Sequence, residues 1–313
     1  LTGTRPVTDP TDAVGWGVYD LSKMEWNYNL IDSLGLHQSL LSDLAESCTP
    51  AGTLTTQMAV KLGAKAGIPV SVASGDHQCS FAGTVTDYEN TLAINIGTGG
   101  QASVYVENPT PRGWLELRPF IQKGYLLAGV GVVGGRTFRN LRDFFNNASK
   151  ALAGYELDSD VLYEKLVELA MKVPAGAEGV VVDPLFTGSR SDPRAKAAIR
   201  EITPGTFTPG HIARALFEAM ASQLAGSYRE AVKLGAGERS FLVGSGNGLK
   251  LNPVLWESIN AELRMPVQLS QHNEEAAIGA ALCAAVADGS FNSMNEASTS
   301  FLNFITPTTT DEA

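Results

Sequence analysis

Asp76 is the residue whose type and position first suggest chemistry. It stands in ASGDHQC (73–79), directly after the apolar run IPVSV. At a strand-to-helix turn a carboxylate can cap the helix, or it can accept a proton from a bound hydroxyl as a general base. Three glycine-rich stretches follow: LAINIGTGGQASVYV (92–106), GVVGGRTF (131–138) and FLVGSGNG (241–248). In the first, Gly97, Thr98 and Gly99 form the tip of a hairpin whose backbone N–H groups can converge on a phosphate, with the Thr98 hydroxyl as a further donor. A tight turn that simply needs glycine explains the same residues. No Lys-Ser/Thr pair follows, so this is not a Walker loop.

Gly134 and Gly135 in the second stretch, and Gly244, Ser245 and Gly246 in the third, each end a strand where a helix begins. They would admit a nucleotide to the backbone, or merely let helix and strand pack closely. Neither stretch has the spacing of a dinucleotide fingerprint. DPLFTGSRSDPRAKAAI (183–199) reads as a solvated loop in which Arg190 and Arg194 flank Asp192, with an arginine offered to phosphate as the alternative. Trp16 and Trp26 read as core or docking residues.

The elements that must position these residues alternate. A short buried strand at 67–75 feeds a helix from Asp76, and the polar TDYEN (86–90) marks a hinge. Beyond it the glycine hairpin, a strand at 125–133 and an amphipathic helix at 136–152 follow. The clearest helices lie at 159–173 and 209–235. Two late strands, RSFLV and MPVQLS, each lead to a helix, with Asn252 and Asn273 as N-caps and Pro253 at the first helical position. The polar end, TPTTTDEA, should fray.

A length of 313 residues suggests about two domains. The net charge of −10 argues against nucleic acid and anionic membranes, so an anionic ligand must be held by local donors. Cys48, Cys79 and Cys283 are scattered and odd in number, which suits free thiols in a reducing cytoplasm. His37, His77, His211 and His272 share no zinc motif. No apolar run approaches the ~18 residues of a membrane span.

The order of the motifs is more specific than any one of them. Strand–Gly-Asp–helix, hinge, glycine hairpin, Gly-Gly strand–helix and a late glycine-rich strand–helix together resemble the second half of the FGGY carbohydrate kinases. These have the actin/hexokinase-like (ribonuclease H-like) α/β ATPase fold. DPTDAVGWGVYDLSKMEWN resembles that family's Asp-x-x-x-Ala segment, GTLTTQMAVKLGAKAGIPVSVASGDHQ its run into the catalytic aspartate, and EEAAIGAALCAA its closing helix. The resemblance implies that Asp76 is the general base and contributes to the Mg²⁺ environment. It implies that Gly97, Thr98 and Gly99 hold the ATP phosphates, that Gly134 and Gly135 approach the nucleotide, and that Gly244, Ser245, Gly246 and Asn252 form the adenosine-side loop. GSGNGLKLNPVL is longer than the usual adenosine loop and is similar to that of sedoheptulokinases.

The expected domains are 1–86, the remainder of the first FGGY domain, and 87–313, the ATP-binding second domain. The family's opening Asp-x-Gly-Thr-Thr hairpin has no match in these residues. The expectation is therefore that most of the first domain is missing, supplied by an upstream partner segment, and that the chain alone is no efficient kinase. The implied reaction is transfer of the ATP γ-phosphoryl to a terminal hydroxyl of a ketose such as sedoheptulose, in the cytoplasm, by a protein that could be a homodimer. Xylulose, ribulose, fuculose or glycerol kinases are alternatives. So are a non-catalytic sugar- or nucleotide-binding protein on a broken kinase fold and a chaperone-type ATPase.

Overall fold

The computed structural model describes residues 1–110, 113–132, 134–188 and 192–307. Its centre is a mixed seven-stranded sheet: β1 (Thr91–Ile96), β2 (Gly100–Val106), β3 (Glu116–Pro119), β4 (Tyr125–Val132), β5 (Phe241–Ser245), β6 (Val267–Ser270) and β7 (Phe304–Ile305), in the order β7-β6-β5-β1-β2-β4-β3. β5 runs parallel to β1 and β6, and the remaining pairings are antiparallel. β1 is covered on both faces, with Leu92, Ile94 and Ile96 on one and Thr91, Ala93 and the half-buried Asn95 on the other.

Helices cover the two faces. They are α1 (Asp76–Ala82), α2 (Gly135–Ala153), α3 (Ser159–Met171), α4 (Pro209–Ala231), α5 (Pro253–Leu263) and α6 (Glu275–Ala287). Their starts follow from capping: the Thr208, Asp158 and Asn252 side chains each accept a backbone N–H of the first turn, and Pro209 and Pro253 need no such partner. Asn273 does not cap α6; Glu274 stands at the cap without a side-chain bond. One core unites α3, α4 and α5 with the sheet around Leu92, Phe138, Leu166, Phe217 and Leu242. A second, on the opposite face, joins α1 and α6 around Phe81, Tyr105, Phe120 and Leu282.

Helices α1 and α6 cross with almost nothing between them. A Cβ on Gly279 would lie 1.9 Å from the Cys79 carbonyl oxygen, and one on Gly83 would lie 2.1 Å from that of Glu275. The three cysteines, far apart in sequence, meet beside this crossing and are all buried and free. Hydrogen bonding with Cys283 first and burial second push the Cys79 thiol up, and hydrogen bonding with Cys48 leads in raising the Cys283 thiol to about 12.

Residues 1–75 form short two-stranded pairs around a small core of Ala13, Val18, Trp26, Ile31 and Leu41. Trp26 is the core residue, donating Nε1–H to the Ser42 carbonyl, while Trp16 is exposed and meets its ring edge-on. The strand expected within 67–75 is Pro69–Ser71, half-exposed rather than buried, because it pairs with Pro50–Thr53 and not with the main sheet. The 183–199 segment closes a small hairpin between strands Val181–Asp183 and Ala198–Arg200. Arg190 lies outside the described residues, as do 308–313 of the polar end; Arg194 gives its backbone N–H to Asp192. Among the described residues no helix is long and apolar enough to cross a membrane.

Candidate functional site

The turn that presents Asp76 is built by residues distant in sequence. Asp9 is fully buried and accepts hydrogen bonds from the hydroxyls of Thr11 (2.6 Å), Ser47 (2.5 Å) and Ser74 (2.8 Å) and from the Asp12 N–H (3.0 Å). Four donors compensate for burying the carboxylate. Thr11 Oγ1 in turn accepts the Gly75 N–H at 2.7 Å, and Gln78 donates to the carbonyls of Thr11 and Pro119. Gly75 is required because a Cβ there would sit 2.6 Å from Gln78 Oε1 and 2.9 Å from the Thr11 carbonyl. Asp76 opens α1 with its carboxylate exposed, and Oδ1 accepts the His77 N–H at 2.6 Å.

A polar relay beside Asp76 had no counterpart in the sequence reading. Arg118 on β3 donates Nε–H and Nη2–H to Glu116 Oε2 (2.9 and 2.5 Å) and Nη1–H to His77 Nδ1 (3.2 Å). His77 Nε2 lies 2.9 Å from Ser103 Oγ. Because Nδ1 accepts from a guanidinium, the ring proton belongs on Nε2 and goes to Ser103. Burial, and then the Arg118 charge, hold the His77 pKa down to about 4, against a smaller upward pull from Asp76. Burial likewise lowers Arg118, and the nearby Asp76 charge opposes that shift. Nothing in WLELRPFI advertises Arg118; only the alternation Glu-x-Arg, two side chains on one strand face, could have paired it with Glu116.

The hairpin tip is Gly97–Gly99, since Gly100 already belongs to β2. All three tip residues are exposed, and Cβ atoms on Gly97 and Gly99 would meet nothing, so packing does not explain these glycines. Among the described residues the Thr98 and Gly99 N–H groups have no protein acceptor. The tip carbonyls are occupied differently: those of Gly97 and Thr98 accept the N–H groups of Gly135 and Arg136 at 2.9 Å. A Cβ on Gly134 would lie 2.3 Å from the Gly99 backbone, and one on Gly135 would lie 2.7 Å from the Gly97 oxygen. These two glycines therefore dock α2 onto the hairpin; close packing explains Gly135, and Gly134 also lines a cavity.

The late loop divides further. Gly244 lies within the sheet, where a Cβ would strike Leu249 and Leu269, so it is a packing residue. Ser245 is 2% exposed, and its Oγ accepts from Asn95 at 2.8 Å. Gly246 has φ +83° and packs on the Ile96 carbonyl at the foot of the tip, its N–H directed to Glu275. Lys250 also binds Glu275 at 3.0 Å. Asn252 is the expected N-cap of α5, accepting the Leu255 N–H at Oδ1, and it is 1% exposed.

A cavity of about 640 Å³ opens beside the tip. Thr98, Gly99, Gly134, Arg136 and Asn140 form one wall, Glu116 and the exposed Trp114 and Phe186 another. Asp76 is not on its lining; Glu116 and Arg118 connect the two. Ser103, bonded to His77, stands three residues along β2 from Gly100 at the edge of the tip, roughly 10 Å at strand rise. As for a cation, no cluster of three or more acidic, His or Cys side chains able to hold one occurs among the described residues. Asp76 is an exposed carboxylate, and Mg²⁺ characteristically takes one or two carboxylates together with phosphates and water, so the residues present fit a nucleotide-borne ion.

Solved structures of sugar kinases share this arrangement of sheet and helices. The chain superposes on xylulose kinase from Rhodospirillum rubrum with a TM-score of 0.81 at 25% identity, covering 98% of this chain and 61% of that one. For Plasmodium falciparum glycerol kinase with ADP the TM-score is 0.77 at 19% identity, over 96% and 58% of the two chains. The fold is that of the actin/hexokinase-like sugar kinases. More particularly, the chain belongs to the FGGY family of carbohydrate kinases, whose C-terminal domain matches residues 92–287 and whose N-terminal domain matches 1–83. Among curated relatives, autoinducer-2 kinase of Escherichia coli (strain K12) is 32% identical over 305 residues, and that of Yersinia pestis (strain Pestoides F) is 30% identical.

Each alignment covers 95% of this chain and 56% of the relative, so the chain spans little more than half their length. The match over 1–83 corrects the expectation of a chain with most of its first domain missing and a separate upstream partner: the N-terminal domain is represented here.

Proposed function

We propose that the protein is an ATP-dependent carbohydrate kinase, with Asp76 as general base and the Gly97–Thr98–Gly99 tip as the phosphate cradle. The observation that carries this reading is the pairing of an exposed carboxylate on a fixed turn with a hairpin tip whose Thr98 and Gly99 amides have no protein acceptor among the described residues. An acceptor hydroxyl attacks the γ-phosphorus, the bond to the β–γ bridging oxygen breaks, and Asp76 takes the hydroxyl proton as ADP departs. Mg²⁺, when bound with the nucleotide, neutralises charge on the phosphates. The tip orients them through backbone N–H groups, and α2, bonded to the tip carbonyls, keeps that backbone in place.

The division we propose falls at 86/87, in the polar segment between the two family matches. Segment 86–90 is the hinge of this reading, and closure over the bound acceptor would exclude water. Gly246, at the foot of the tip, is retained as the adenosine-side contact, with Gly244 and Ser245 supporting it from within the sheet. The acceptor is a small polyhydroxylated molecule with a terminal hydroxyl. The relatives at 30–32% identity put autoinducer-2 first on a test panel. Sedoheptulose, favoured by the long late loop, comes next, then xylulose, ribulose, fuculose and glycerol.

The test is ADP release by the protein with Mg²⁺, ATP and that panel, beside Asp76→Asn. We expect acceptor-dependent turnover that falls at least 10²–10³-fold in the variant, about 3–4 kcal/mol of transition-state stabilisation. Turnover that survives Asp76→Asn within tenfold would remove Asp76 from the reaction. A folded protein inert toward the whole panel would remove the kinase.

A further inference from the structure

We propose that Arg118 is a positioning residue for the Asp76 carboxylate, and that His77 and Glu116 exist in their observed states to hold it there. The proposal rests on the kinase reading only for its kinetic arm. Arg118 reaches from β3, in the part matched by the C-terminal domain, to α1, in the part matched by the N-terminal domain. Three of its five N–H groups are committed, two to one oxygen of Glu116 and one to His77 Nδ1. Among the described residues the other two have no protein acceptor; the geometric link to α1 is the bond to His77, the residue after Asp76, and the Asp76 charge acts on the guanidinium alongside the bonded Glu116 carboxylate. A half-buried guanidinium anchored at two points by fork geometry has little freedom to turn.

His77 is the less obvious half of the device. A histidine directly after the proposed base invites the reading of a proton carrier. The geometry assigns it the opposite task. Its Nδ1 lone pair is occupied by Arg118 and its Nε2–H by Ser103, so both nitrogens are committed and the ring is buried. It works as a rigid acceptor on the same helix as Asp76, fixing the distance between the guanidinium and the first residue of α1. Glu116 balances the arginine's charge and also lines the cavity beside the hairpin tip.

The test compares crystal structures and steady-state kinetics of the wild type with Arg118→Met, Arg118→Lys, His77→Asn and His77→Leu. In Arg118→Met we expect Asp76 to leave its wild-type rotamer, kcat to fall tenfold or more, and KM for MgATP to change less than threefold. Lysine restores the charge without the fork and should recover part of kcat. Asparagine, which offers an acceptor near the Nδ1 position, should keep more of kcat than leucine, although leucine better preserves apolar packing; this pair decides the matter even if Arg118→Met does not fold.

An unmoved Asp76, or a kcat within twofold of wild type, overturns the proposal. Equal losses in the two His77 variants would also overturn it. A folded wild type with no acceptor-dependent turnover would instead defeat the kinase reading, and the Asp76 rotamer alone would then decide whether Arg118 positions it.

Discussion

His77 carries a pH signature that can be read without any substrate. Its ring titrates near 4 in the folded protein, against about 6.5 in an unfolded chain. Between those values the unfolded state binds the extra proton, so stability rises with pH. The contribution is complete above about 6.5 and is lost as pH falls toward 4, amounting to about 3 kcal/mol. Urea unfolding of wild type and His77→Asn across pH 4–7 should show the difference in stability between them shrinking by about that amount as the pH is lowered. A constant difference would mean that the ring titrates alike in the folded and unfolded states. At this scale the sequence was legible only for residues that belong to a local pattern. Asp76, Thr98 and the tip glycines stand in motifs. Arg118 and Ser103 matter only through contacts 41 and 26 residues away from His77, which no local spacing records.

Among the elements, the crossing of α1 and α6 depends on the absence of two side chains. Gly279→Ala would place a methyl group 1.9 Å from the Cys79 carbonyl oxygen, a backbone atom that cannot swing aside. Separating the helices would disturb the core around Phe81 and Leu282 and the three thiols packed there. We expect a loss of about 1–3 kcal/mol, as for an overpacked core, measured by denaturant unfolding; Gly289→Ala, at φ +84° but in open space, would register backbone strain without any such collision. The sequence displayed the helices on both sides of this contact through their apolar patterns, not through caps, since neither start has a side-chain cap. It could not display that Gly83 and Gly279 face each other. It also led to a misreading of Pro69–Ser71 as a buried strand, because an apolar run of that length looks the same whether it joins the central sheet or only a two-stranded pair.

For the molecule as a whole, a net charge of −10 gives a nucleotide no general attraction, so binding must rest on the hairpin tip and its neighbours. A ligand that binds only the folded state stabilises it by about 2.7 kcal/mol at a hundred times its Kd. MgADP should raise the unfolding midpoint accordingly. Thr98→Ala, which removes a donor from an exposed tip, should weaken that response without lowering the midpoint of the free protein by more than about 0.5 kcal/mol. A response undiminished in Thr98→Ala would place the nucleotide elsewhere. The family was legible from motif order. Which glycines face a ligand and which only allow backbones to touch was not, since both uses call for the same residue.

The buried Asp9 carboxylate has a consequence for how the site comes into being. Its partners Ser47 and Ser74, and the Thr11–Gly75 bond beside it, join residues 38, 65 and 64 positions apart. Closing loops of that length must be met in chain entropy before any of these bonds contributes. The ASGDHQC heptapeptide in isolation therefore has no reason to adopt the turn seen here. The carboxylate of Asp76 acquires its direction only when both ends of a long loop have been brought together, as one cooperative event.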